Sequence, residues 1–239
     1  MAFYIPVQNA RAFRREKGYD MVDWSNFREV LNDFHGRMDD WYIIPAKELG
    51  KNGHFVFPVM AMDCLLIDTL SQYYYGSDPS PTEKANGQKG SLESSGAKFK
   101  DFLVERLPHR TGPLLAPIKQ PVTRRNPNGK PLRTFEDVLW SGFRCGILHQ
   151  AHIPLYGAIY RVANVLDFQA SGTTKYADGT DCPTIICFPQ KLLDELETAF
   201  LKYLDDLWSP SPAFADLRRR FKEKFEDSFG VTISTTVKP

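Results

Sequence analysis

From Asp23 to Met38 the apolar residues are Trp24, Phe27, Val30, Leu31, Phe34 and Met38, a spacing that lays one stripe along an α-helix. The next block, Phe55 to Tyr75, is apolar almost all round through Val59, Met60, Met62, Leu65, Leu66, Ile67 and Leu70, and so predicts a central helix touched on more than one side. Pro58 suits its first turn and Gly76 its end. Phe99, Phe102, Leu103 and Leu107 predict a short third helix. Thr134, with Asp137 three residues on, marks the start of a fourth, through Phe135, Val138, Leu139 and Phe143. Pro189 opens a fifth, with Leu192, Leu193, Leu196, Phe200, Tyr203, Leu204 and Leu207 inward. Pro212 to Phe229 gives a sixth, stopping at Gly230.

The polar stretches complete the outline. Residues 76–96 hold no large apolar residue except Leu92 and predict a mobile loop. Residues 108–133 carry six prolines, too many for a regular helix or a central strand. Val162 to Phe168 and Thr184 to Phe188 favour strand and flank Asp178-Gly179, so a small hairpin is expected over about 162–188. The expected fold is therefore all-α: a bundle of five to six helices with one hairpin inserted, in one domain over 23–230. An N-terminal extension (1–22) precedes it and a frayed tail (231–239) follows.

Composition changes this picture little. The chain has 239 residues, 42% apolar and 25% charged, well inside the globular range. Its 30 Lys and Arg against 29 Asp and Glu exclude a nonspecific nucleic-acid coat. Cys64, Cys145, Cys182 and Cys187 follow no paired motif and read as reduced thiols. No signal-type segment or membrane-length apolar run is apparent, so a cytoplasmic protein without a membrane partner is expected.

Resolved along the chain, the charge is uneven. From Arg106 to Phe135 there is no acidic residue, while Arg110, Lys119, Arg124, Arg125, Lys130 and Arg133 join Arg106 in a cationic connector. Such a segment is suited to holding a phosphate backbone without reading bases, or it is simply a solvated tether. It feeds into Phe143-Arg144-Cys145-Gly146-Ile147-Leu148-His149-Gln150-Ala151-His152, where a strong base, a thiol and two imidazoles interrupt an apolar segment devoid of Asp and Glu.

Arg144 and His149, four residues apart in between, resemble the R-x4-6-H motif of the HEPN superfamily, all-α proteins that include metal-independent ribonucleases of toxin–antitoxin and abortive-infection systems. The match is specific over Phe143 to Ala151 and loose elsewhere. The resemblance implies RNA as substrate, no cofactor or metal, a cyclic 2′,3′-phosphate product, a homodimeric site and an antitoxin or neighbouring-gene partner. In that chemistry His149 serves as acid or base and Arg144 forks onto phosphate oxygens. Many active members place a polar residue after the Arg; here it is Cys145, a weak donor in the orienting position. Asp63, Asp68 and His152 are further candidates for orienting the pair. On a straight helix, five positions separate Arg144 and His149 by about 140°, which predicts that a single chain cannot present both to one cleft.

Two other readings stand beside this one. The same fold could serve as a noncatalytic nucleotide-binding or scaffold module. Cys145, His149 and His152, on one helix face, form a partial zinc set that lacks a fourth ligand.

Overall fold

The computed structural model describes residues 22–93, 95–108, 111–120, 129–150, 157–159, 168–175, 179 and 181–237. The expected N-terminal extension lies, but for residue 22, outside them. The chain is mostly helical with small β insertions. By its contacts it divides into two compact units, Met1–Pro45, Asp68–Asp101 and Glu197–Pro239 in the first, and Ala46–Ile67 and Phe102–Leu196 in the second. The sequence pattern, read as one domain, does not reveal this division, because its four boundaries fall inside helices, Ile44–Gly50, Val56–Tyr75, Gly96–Arg106 and Pro189–Trp208, rather than in linkers.

In the first unit, α1 (Phe27–Met38) starts three residues later than its apolar stripe. Asn26 is the cap, its side chain accepting from the Arg28 N–H at 3.1 Å. A π-helical turn, Asp39–Ile43, follows and leads into α2 (Ile44–Gly50). The core centres on Phe34, whose ring lies 4.5 Å from Tyr73, 5.1 Å from Phe221 and 5.7 Å from Phe200. These rings come from α1, α3 (Val56–Tyr75), α8 (Pro189–Trp208) and α9 (Ala215–Phe229), the elements the apolar periodicity singles out. Gly230 ends α9 in the left-handed region at φ 65°, as a helix-stopping glycine should. The tail is not frayed over its described part. Ile233 is buried and donates its N–H to Glu226 at 2.8 Å, and the Ser234 N–H reaches the Trp24 carbonyl at 3.0 Å.

Residues 76–96 differ from the expected loop. They contain α4 (Pro81–Ala85), begun by a reciprocal capping box between Ser80 and Glu83. Asp101, on α5 (Gly96–Arg106), accepts from the Thr82 N–H at 2.8 Å and the Thr82 hydroxyl at 2.6 Å. Lys98, fully buried, donates to the Gly76 carbonyl at 2.7 Å and to that of Ser91. The segment has one large apolar side chain, Leu92, yet polar side chains from α5 hold its backbone in place.

With the turn before it, α3 (Gly53–Tyr75) is long and apolar enough to cross a membrane by length and composition. Its Val59, Met60, Cys64, Leu66 and Ile67 are fully buried within the protein, as is Asp63, and Asp68 is nearly so. Burial on several sides accounts for its apolar composition.

The second unit holds the strands. β1 (Pro113–Ile118) pairs antiparallel with β2 (Leu132–Thr134) across an irregular register. The proline-rich connector is thus partly a two-stranded ribbon, where every strand is an edge and a missing N–H is tolerated. β4 (Phe168–Lys175) and β5 (Asp181–Cys187) form the antiparallel pair within the expected hairpin region. β3 (Gly157–Ile159) adds to β5 in parallel, giving a mixed sheet in the order β3-β5-β4.

Candidate functional site

The Arg144 helix is built from its cap inward. Thr134 closes β2 and accepts from the Asp137 N–H at 3.3 Å, starting α6 (Phe135–Val138). Gly112 is tied to the same turn, its N–H donating to Glu136 at 3.2 Å and its carbonyl accepting from the Phe135 N–H at 3.0 Å. The helix then widens into a π turn, Leu139–Arg144, before resuming as α7 (Cys145–Gln150). Leu139 and Phe143 are fully buried and Ile147 nearly so, which anchors this face and turns the other outward.

Arg144 is the last residue of the π turn and is half-buried; His149 is exposed. The guanidinium carbon lies 4.7 Å from the centroid of the Trp140 ring, within cation–π range. Nη1 lies 2.7 Å from His149 Nε2. A guanidinium can only donate, so Nε2 is the acceptor and the neutral ring carries its proton on Nδ1. The straight-helix expectation is therefore corrected: one chain brings Arg144 and His149 together. The long Arg side chain folds across Trp140 and closes the angular gap between the two positions.

The other candidates distribute unevenly. Cys145, next in the chain, is half-buried and, like the buried Cys64 and Cys187, is in no disulfide. Asp63 is fully buried, and neither carboxylate oxygen has a hydrogen-bond partner among the described residues, so it does not bond Arg144 or His149. Burial, then the nearby Asp194 carboxylate, holds its carboxyl well above the usual range. Asp68 belongs to the first unit and the motif to the second. Lys119, Lys130 and Arg133 are exposed on or beside the β1–β2 ribbon that leads into α6. Arg110, Arg124, Arg125 and His152 lie outside the described residues. Among the described residues no group of three or more His, Cys, Asp or Glu could hold a metal ion. Of the partial zinc set, Cys145 and His149 are described and His152 is not.

Trp140 is the site residue that the sequence reading missed. Its signal was present, an aromatic four positions before an arginine on a helix, a spacing that places two side chains on one face. Two cavities, of about 310 and 690 Å³, lie in the first unit, and neither is lined by a residue of the Arg144 helix. No protein-family model matches the chain, and neither does any curated protein or solved structure.

Proposed function

We propose that the chain is a metal-independent endoribonuclease of HEPN type, a cytoplasmic protein whose Arg144 and His149 handle a scissile phosphodiester. The observation that carries this reading is the 2.7 Å approach of Arg144 Nη1 to His149 Nε2 at an exposed helix face. A guanidinium fork and an imidazole side by side supply two of the needs of metal-free RNA cleavage: charge on the transition-state phosphate and a group that takes the 2′-OH proton. In the cleavage step the O2′–P bond forms as the P–O5′ bond breaks. The ring takes the 2′-OH proton and solvent returns one to O5′. Lys119, Lys130 and Arg133 on the adjacent ribbon support the reading as backbone-holding cations, with Arg110, Arg124 and Arg125 in the same connector. The family resemblance adds a second copy of the chain, bringing a second Arg–His pair across a two-fold axis, and an antitoxin-like neighbour as partners.

The test is incubation of the purified chain with total RNA in EDTA beside Arg144→Ala and His149→Ala. Cleavage lost in both variants is expected. An inactive wild type, or equal activity in all three, overturns the reading. RNA binding that depends on Arg144 without cleavage would instead identify the noncatalytic module, whose specific support is the weak donor Cys145 beside the arginine.

A further inference from the structure

The contact that brings Arg144 and His149 together also occupies the nitrogen that catalysis needs. With Nη1 donating to it at 2.7 Å, His149 Nε2 has its lone pair engaged and cannot accept a proton from a ribose hydroxyl. The guanidinium carbon lies over the Trp140 ring, 4.7 Å from its centroid, a contact with the π face that uses no hydrogen-bond acceptor. Nη1 can therefore exchange the His149 nitrogen for another acceptor while that contact persists. We propose that the Arg144–His149 contact is a resting lock that a phosphate group opens, and that Trp140 is the positioning residue that keeps the guanidinium in place as it does so.

The competition favours phosphate on chemical grounds. A neutral imidazole nitrogen accepts one uncharged-acceptor bond, whereas an anionic phosphate offers two oxygens to the fork with charge on both sides, a bond roughly twice as strong. As Nη1 moves to the phosphate, Nε2 is released beside the group it must deprotonate, so the base becomes available only with the backbone in place. Trp140 matters because an arginine freed from the ring would otherwise sample many rotamers. Its position four residues earlier on the same helix, joined through the π turn, keeps the guanidinium carbon over the indole in both states.

This rests on reading the site as phosphate-handling, and the experiment separates the two. The full chain, labelled with 15N-histidine, is titrated with inorganic phosphate and followed by NMR, the His149 signals being identified by their loss in His149→Ala. A bare Nε2 is expected without phosphate, with a shift of that resonance that saturates as phosphate binds. Trp140→Leu should weaken phosphate binding roughly 3- to 30-fold, while Trp140→Phe, which keeps a ring face, should stay within a few-fold of the wild type. A proton found on Nε2 in the free chain overturns the lock. So does phosphate that fails to bind, or that binds without moving the His149 resonance. Trp140→Leu binding as tightly as the wild type removes the role of Trp140; should that variant not fold, a Trp140→Phe variant as weak as Arg144→Ala does the same. A responsive ring with RNA left intact in EDTA leaves the lock standing and the nuclease reading fallen. RNA cleavage dependent on Arg144 and His149, with Nε2 indifferent to phosphate, does the reverse.

Discussion

Replacing Asp63 with Asn should make the protein more stable, and by an amount that depends on pH. Asp63 sits on α3 at 0% exposure, with neither oxygen hydrogen-bonded among the described residues and with Asp194 nearby adding like charge. A buried polar group left unsatisfied costs about 1–3 kcal/mol, and more when charged. Its folded pKa is raised above the ordinary value by burial first and Asp194 second. Below the unfolded pKa both states hold the proton and Asp63 adds no slope. As pH rises from there toward the folded pKa, the unfolded chain has released its proton and the folded one has not, so stability falls, by about 1.4 kcal/mol for each unit of the raise. Asn has no proton to release. Asp63→Asn should therefore match the wild type near pH 3.5 and gain about 1–3 kcal/mol near pH 7, read as a rise in Tm of about 2–10 °C for a chain of this length. Thermal unfolding at four pH values between 3.5 and 7.5 gives the profile. Asp194→Asn should give a smaller gain with the same sign, since it removes only the second cause. A difference between wild type and Asp63→Asn that stays constant across pH, or a variant less stable at pH 7, would refute the reasoning.

Lys98→Met should destabilise the chain by about 2–4 kcal/mol, because the Gly76 and Ser91 carbonyls lose their buried donor, and limited proteolysis should then cut within residues 77–95. Burial lowers the Lys98 pKa, so its ammonium form is disfavoured by folding, and wild-type stability should rise with pH as the folded pKa is passed, a slope absent from the Met variant in urea titrations. Gly76→Ala should cost about 1–3 kcal/mol in the same titrations, since φ is +53° and the new Cβ would lie 2.8 Å from the Arg220 carbonyl oxygen. Replacing Lys119, Lys130 and Arg133 together with Gln should weaken RNA binding without regard to sequence. It should also reduce the slope of log K against log salt by roughly 2 in filter binding; an unchanged slope would remove these residues from the interface.

The helices were legible because their apolar positions repeat at the α period and their ends carry readable chemistry, such as Thr134 at one start and Gly230 at one stop. The held backbone of residues 76–93 was not, because polar bonds from Lys98 and Asp101 leave no periodic trace. The π turn was half-legible. Leu139, Phe143 and Ile147 are buried at spacings of four, and four α-helical positions overshoot a full turn by about 40°, so two such steps drift about 80° unless the helix widens. Met38 and Ile43, buried five apart, mark the other π turn in the same way. The Arg144–His149 approach was hidden because projecting Cβ directions around a cylinder ignores the reach of a long side chain bent over an indole.

A helix that carries a π turn holds one residue more than its α-helical path requires, and that surplus is a matter of chain length rather than residue identity. Deleting Ser141 or Gly142 would return the helix to the narrower form while the α-helical segments on either side keep their faces, because the extra residue is what the widened turn takes up. A substitution changes which side chain the turn carries; a deletion decides whether there is a widened turn at all.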